Sequence, residues 1–373
     1  MRVAIFTETF LPKVDGIVTV ICLLLDHLAE RGVDAVVIAP RMGDVQAYGP
    51  AQVIRVRGVT MPLYPELKFG PSNLATYRDL RAFQPDVAHF FPPLMLGTTG
   101  MLMAKRLGVP TLASFHLDMA RLAEHFKMGF MRPSMNLLTR LTFNWADYAL
   151  APSRLVQREM RAIGVREVGL WRRGVDAERF NPCYQDAAMR ARLSGGHPDE
   201  TILLYVGRLS AEKQLQNLRP VLDAVPGTRL ALVGDGPVRS ELEAVFTGTP
   251  TQFMGYMQGE ALSQAYASAD IFVFPSALET FGLVVVEAMA AGLPVVASRV
   301  GGVTDVVDEG VTGTTFDVDD VGALIDGVRQ IAADKDHMRR MGQDARVFAE
   351  TQTWPAMMDE VIDHYARLIA ARG

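Results

Sequence analysis

Two glutamates, Glu279 and Glu287, stand with seven residues between them in the stretch Pro275-Ser276-Ala277-Leu278-Glu279-Thr280-Phe281-Gly282-Leu283-Val284-Val285-Val286-Glu287-Ala288-Met289-Ala290-Ala291-Gly292-Leu293-Pro294. Glu287 is the only charge between Leu283 and Ser298, and a lone ionised group on so apolar a helix is costly unless it reaches a partner or a wet cleft. The Thr280-Phe281-Gly282 turn leaves backbone amides unpaired at the helix start, where the helix dipole favours an anion such as a phosphate. Glu287, one turn further in, then meets a ribose or sugar hydroxyl. The plainer alternative makes Glu279 a first-turn carboxylate favoured by the dipole and Glu287 a satisfied core carboxylate.

Further chemistry-bearing residues follow strand ends. Arg208 and Lys213 lie five apart after the apolar run Ile202-Leu203-Leu204-Tyr205-Val206, as two cations suited to clamping a diphosphate or as two solvated surface charges. His116 follows Thr111-Leu112-Ala113-Ser114-Phe115, at the rim where open α/β sheets place ligands. A loop histidine bonded to backbone is the other reading; Asp118 is a weaker candidate, and His89, His125 and His197 read as structural. Gly16 stands at a helix start, where backbone amides can approach a phosphate, or serves as a turn residue. There is no Gly-x-Gly-x-x-Gly and no Gly-Lys-Ser.

The elements that must position these residues alternate. Val3-Ala4-Ile5-Phe6, a helix through Arg31-Gly32 and Ala35-Val36-Val37-Ile38-Ala39 read as β-α-β, which implies a parallel sheet. Strands also read at Val53-Ile54-Arg55-Val56, residues 86–90, 111–115 and 148–153, then at 202–206, 230–233, 270–274 and 295–298. Residues 183–200 are polar with Ser194-Gly195-Gly196 and read as a loop-like linker. At 373 residues the chain fits two domains of ordinary size.

Charge divides unevenly. Residues 1–175 hold 21 Lys and Arg against 14 Asp and Glu, leaving 16 against 28 for residues 176–373. A basic first half suits an anionic partner, a membrane surface or an anionic lipid, and no nucleic-acid motif accompanies it. Residues 121–145 interleave Arg121, Lys127, Arg132 and Arg140 with Phe126, Phe130, Leu137, Leu138, Leu141, Phe143 and Trp145. This stripe reads as a core-facing helix with a solvated basic edge, the alternative being a face that docks on a membrane. Cys22 and Cys183 are too few for a disulfide framework, which points to a reducing compartment. No apolar run has the length of a signal peptide or a membrane span, so a cytoplasmic protein is expected, peripheral at the inner face of a membrane if it meets one.

The stretch around Glu279 and Glu287 resembles the signature of the retaining family 4 glycosyltransferases. The Gly207-Arg208…Glu212-Lys213 block and the Gly174-Val175-Asp176 and Phe180-Asn181-Pro182 segment fit the same pattern in the same order. Thr304-Asp305 stands where many members have Pro-Glu, which puts only a turn in doubt. The look is nearest the branch with GDP-mannose-dependent α-mannosyltransferases and sulfoquinovosyl-diacylglycerol synthases, and Ser114-Phe115-His116 points the same way.

That resemblance implies the GT-B class, two Rossmann-like α/β domains with parallel sheets facing across a cleft. It implies an acceptor-binding domain over 1–172, a crossing and linker over 173–200, a donor domain over 201–353, and a helix over 354–373 returning to the first domain. The implied reaction moves a hexose such as mannose from a GDP- or UDP-linked nucleotide sugar to a hydroxyl of a lipid or saccharide acceptor, with retention. Gly16, Arg208, Lys213 and the amides of Thr280, Phe281, Gly282 and Leu283 would hold the diphosphate; Glu287 would take the ribose, Glu279 and His116 would position the sugar, and Tyr256 would lie by the nucleobase. Asp317-Val318-Asp319 looks like the metal-holding aspartates of a different glycosyltransferase fold, but standing before residues 321–333 it is expected to cap a helix. No bound cofactor and no metal are expected. A sugar-nucleotide epimerase of the same fold and a catalytically silent nucleotide-sugar binding protein are the alternatives, whereas no block resembles the pyridoxal site of a phosphorylase.

Overall fold

The structure is a computed structural model that describes residues 1–13, 16–61, 64–116, 120, 129–279 and 281–372, with residues 59–61 and 64–69 described by backbone alone. The chain divides into two compact units, Met1–Arg172 with Met357–Gly373, and Arg173–Ala356.

In the first unit the strands are β1 (Arg2–Thr7), β2 (Asp34–Pro40), β3 (Ala47–Tyr48), β4 (Ala51–Val56), β5 (Val59–Met61), β6 (Tyr64–Phe69), β7 (Val87–Phe91), β8 (Thr111–Ser114), β9 (Tyr148–Ala151) and β10 (Val168–Leu170). Eight of them form one sheet in the order β10-β9-β8-β7-β1-β2-β4-β3, parallel except where β3 meets β4, while β5 and β6 make a separate hairpin. The strands that read as continuous apolar runs are the central ones. Val3 to Phe6 of β1 are fully buried, as a parallel sheet covered on both faces requires. The helices of this unit include α1 (Gly16–Glu30), α2 (Leu74–Phe83), α3 (Met95–Arg106), α4 (Arg132–Trp145) and α5 (Arg154–Ala162).

The second unit holds β11 (Thr201–Val206), β12 (Thr228–Val233), β13 (Thr251–Gly255), β14 (Ile271–Phe274), β15 (Val295–Ser298) and β16 (Gly313–Phe316). They form one all-parallel sheet in the order β13-β12-β11-β14-β15-β16. Gly234, at the turn after β12, has φ 138°, and a Cβ there would stand 1.9 Å from the carbonyl oxygen of Gly207. Only glycine lets the ends of β11 and β12 come so close.

Three expectations are corrected. The polar segment 183–200 contains a helix, Ala187–Leu193, because Asp186 caps it by accepting Met189 N–H at 2.6 Å, while Met189 and Leu193, four apart, supply a buried face. Helix α4 is not a core-facing helix: it buries only Phe143, and Phe130, Leu137, Leu138, Leu141 and Trp145 are exposed. Residues 121–128, the first part of that stripe, lie outside the described residues, as does Asp118. The helix Val321–Ala333 is capped by Asp320, which accepts Ala323 N–H at 2.9 Å. Asp317 instead pairs with Arg299 at 2.7 Å, and Asp319, with φ 69°, accepts from Gln214 Nε2 at 2.8 Å.

Candidate active site

Strand order reverses in the second unit between β11 and β14, so the chain leaves their carboxyl ends in opposite directions and opens a crevice there. The loop after β11 carries Arg208 and Lys213, and the loop after β14 carries Glu279. Two hydrogen bonds to one carbonyl tie the loops together: Ala277 N–H donates to Glu212 O at 2.8 Å, and the Ser276 hydroxyl donates to the same oxygen at 3.5 Å.

Across this frame Lys213 Nζ donates to Glu279 Oε2 at 3.1 Å, with the two side chains only 16% and 20% exposed. The ammonium also lies 5.2 Å from the Phe274 ring centroid. Lys213 is therefore a shielded, fixed charge, and removing either partner would strand the other in a partly desolvated site. Arg208 is its opposite, an exposed guanidinium with no partner among the described residues, whose carbonyl is held by the Tyr205 hydroxyl at 3.0 Å.

The helix Leu283–Ala290 starts from Gly282 at φ 83°, with no side chain among the described residues capping its first turn. Val285 N–H donates to Gly282 O at 2.9 Å, and the amides ahead of it at the helix start are placed to meet an anion from outside the helix. A Cβ at Gly282 would meet Val303 Cγ2 at 3.3 Å. Phe281 is buried beneath the turn, Leu283 is half-buried, and Thr280 lies outside the described residues.

Glu287 has the polar partner its position demanded. Tyr266, fully buried on the helix Gly259–Ala267, donates its hydroxyl to Glu287 Oε2 at 2.9 Å. Burial pushes the Glu287 carboxyl above the usual carboxylate range, against the opposing pull of that phenol and of the Arg179 charge. Burial, with the Glu287 charge beside it, raises the Tyr266 phenol far beyond physiological pH, so it remains a donor. Sequence reasoning missed Tyr266 because its helix is a different element, and its one signal is a tyrosine in an otherwise unremarkable apolar turn. Tyr256, just past β13, is 75% exposed.

In the first unit the order reverses between β1 and β7, and Glu8 sits at the end of β1. It is 3% exposed, and its Oε1 accepts Leu96 N–H at 2.7 Å and Gly97 N–H at 3.2 Å, in the first turn of α3, which has no local side-chain cap. Its other oxygen is buried with no partner among the described residues. Burial pushes this carboxyl up to about 7, the two amides pulling against it.

His116, two residues past β8, is half-buried with its ring stacked on Phe91 at 4.9 Å. Gly16 opens α1 at the surface, with nothing within 4 Å of a Cβ built there, so packing does not demand glycine at that position. Of the expected site residues the structure thus joins Lys213 to Glu279 on one crevice, with Arg208 and the Gly282 turn on the same strand ends. Gly16 and His116 belong to the other unit.

The chain was compared with known proteins. The family model for glycosyltransferase family 4 matches residues 14–179, and that for glycosyl transferases group 1 matches residues 191–348. A GDP-mannose-dependent alpha-mannosyltransferase of Mycolicibacterium smegmatis is 38% identical over 100% of this chain and 99% of its own. Sulfoquinovosyl transferase SQD2 of Arabidopsis thaliana is 35% identical over 96% of this chain and 72% of its own. Among solved structures, sucrose-phosphate synthase from Thermosynechococcus elongatus superposes with a TM-score of 0.79 at 22% identity, covering 99% of both chains. HepE of Anabaena in complex with UDP does so with a TM-score of 0.79 at 19% identity, covering 98% of this chain and 100% of that one.

Proposed function

The chain belongs to glycosyltransferase family 4, and we propose that it moves a hexose, mannose or a close relative, from a GDP- or UDP-linked donor to a hydroxyl of a lipid or glycolipid acceptor. It is a nucleotide-sugar-dependent enzyme of the retaining type. The observation that carries the reading is the shielded Lys213–Glu279 pair at the β11/β14 crevice, beside a helix whose first turn has no side-chain cap among the described residues.

In this reading the diphosphate lies against the Gly282 turn, between Lys213 and the free guanidinium of Arg208. These two cations stabilise the leaving diphosphate as negative charge develops on it. Glu287, oriented by Tyr266, accepts the ribose hydroxyls, Tyr256 lies by the base, and Glu279 with His116 positions the sugar. No carboxylate stands out as a nucleophile, which suits a front-face route in which the departing phosphate takes the acceptor proton while the new bond forms on the same face. An epimerase or a silent binding protein would not need an acceptor, and the similar proteins of Mycolicibacterium smegmatis and Arabidopsis thaliana are both named as transferases.

The acceptor side rests on α4. No helix among the described residues is long and apolar enough to cross a membrane. Instead α4 turns Leu137, Leu138, Leu141 and Trp145 outward beside Arg132 and Arg140, a pattern that suits the interface of an anionic membrane. We propose that the enzyme works there, at a cytoplasmic face, on a lipid-borne hydroxyl.

The test is a calorimetric titration with GDP, UDP and ADP, then with the matching nucleotide sugars, followed by transfer assays on lipid acceptors. Selective binding of one nucleotide and acceptor-dependent sugar transfer are expected. Release of an isomerised nucleotide sugar without acceptor, or binding of no nucleotide, would overturn the proposal.

A further inference from the structure

The half-buried His116 ring packs against buried aromatic side chains that have no role in the proposed reaction. Phe91, fully buried at the end of β7, stacks on it at 4.9 Å with an interplanar angle of 29°. Trp171, 1% exposed, meets it edge-on at 6.0 Å and 85°, and Trp171 and Phe91 meet each other at 5.8 Å and 80°. The imidazole is thus held on its face by one ring and on its edge by another.

This arrangement matters because the terminal torsion of a histidine has broad, roughly two-fold wells. His116 stands past the end of β8, so strand pairing does not set the plane of its ring. Contacts with Phe91 and Trp171 restrict it.

Both rings are tied in turn to the C-terminal helix Trp354–Ala370. Trp171 Nε1–H donates to the Met357 carbonyl at 3.1 Å. His89, whose ring lies 4.0 Å from Phe91, shares a 2.6 Å hydrogen bond with the Tyr365 hydroxyl through Nδ1 and a 2.5 Å one with Ser114 through Nε2. Ser114 lies two residues before His116. Asp359 on the same helix shares a hydrogen bond with His27 at 2.8 Å and an ion pair with Arg31 at 2.5 Å, and just past the helix Arg372 pairs with Asp147 at 3.0 Å.

We propose that Phe91 and Trp171 are positioning residues that fix the plane of the His116 ring for the donor sugar, and that Tyr365 supports them through His89. The inference rests on the reading that His116 meets the sugar. Trp171 and Tyr365 are both fully buried, which suits them to act through the ring and not on the sugar itself.

The experiment uses the full chain with Trp171→Phe, Tyr365→Phe, His116→Ala and the two double variants. Transfer kcat, and the ratio of affinities for nucleotide sugar and bare nucleotide, are measured for each. A misplacement on the order of 1 Å can cost up to about 100-fold in rate, so Trp171→Phe should lower kcat about tenfold. The milder Tyr365→Phe should lower it roughly threefold, also by loosening the ring. Affinity for bare nucleotide should stay unchanged, and in the His116→Ala background neither substitution should alter the affinity ratio further, because the ring they position is gone. A similar loss in both backgrounds, or unchanged kcat in both single variants, overturns the inference while leaving the role of His116 standing. Unchanged kcat and affinity ratio in His116→Ala alone overturns that role, and the inference with it.

Discussion

Glu8 offers the most direct numerical test of the structure. Its carboxyl titrates near 4.5 when unfolded and is pushed up to about 7 when folded, because burial outweighs the two α3 amides that favour the charge. Below pH 4.5 both states hold the proton and the fold has its full stability. As pH rises the unfolded chain releases the proton first, and stability falls by about 1.4 kcal/mol per pH unit until the folded group also ionises, a total of about 3 kcal/mol lost by pH 8. Glu8→Gln keeps an oxygen for Leu96 and Gly97 but cannot titrate. Its amide nitrogen takes the place of the buried oxygen that has no partner among the described residues, a fixed cost of about 1–3 kcal/mol at every pH.

The readout is therefore a slope rather than a single value. Thermal midpoints of the two proteins, measured from pH 4.5 to 8.5, should shift relative to each other by roughly 6–12 °C in favour of Glu8→Gln, at about 2–4 °C per kcal/mol for a unit of this size. All other titrating groups are common to both proteins and cancel. A difference that stays flat within about 2 °C across the range would refute the reasoning and mean that the carboxyl is ionised throughout, held by the α3 amides more strongly than burial opposes.

Three further outcomes follow from the same geometry. Lys213→Ala should weaken nucleoside diphosphate binding in calorimetry by about ten- to a hundredfold, roughly 1.4–2.7 kcal/mol, by removing a fixed cation and leaving Glu279 without its partner. Tyr266→Phe removes the phenol that favours ionised Glu287, so the carboxyl pKa should rise further. Donor affinity that needs the carboxylate should then fade at a higher pH as the solution is acidified, seen in titrations across a pH series, and an unmoved midpoint would exclude Glu287 as the hydroxyl acceptor. Leu137→Asp with Leu141→Asp on α4 should abolish flotation with anionic vesicles while leaving nucleotide affinity intact; absence of vesicle binding by the parent protein would sink the membrane proposal.

The sequence by itself determined the parts of this protein that depend on local periodicity. Continuous apolar runs such as Val3 to Phe6 and Ile271 to Phe274 can only be strands covered on both faces, and their alternation with helices specified two parallel α/β sheets. Spacing also marked Glu279, Glu287, Arg208 and Lys213, because a charge inside an apolar run, or a pair of cations just past a strand, is costly enough to need a reason. The tertiary structure alone decided which of these charges meet. Lys213 is paired with Glu279 across 66 residues and Arg208 is left open, although the two cations look alike in sequence. It alone supplied Tyr266 to Glu287, Glu8 to α3, and Phe91 and Trp171 to His116, since such contacts are set by strand order and not by neighbours along the chain. The direction in which α4 faces was equally beyond reach. An amphipathic pattern says that a helix has two sides but not which one the rest of the fold will cover, and here the apolar side was left to solvent.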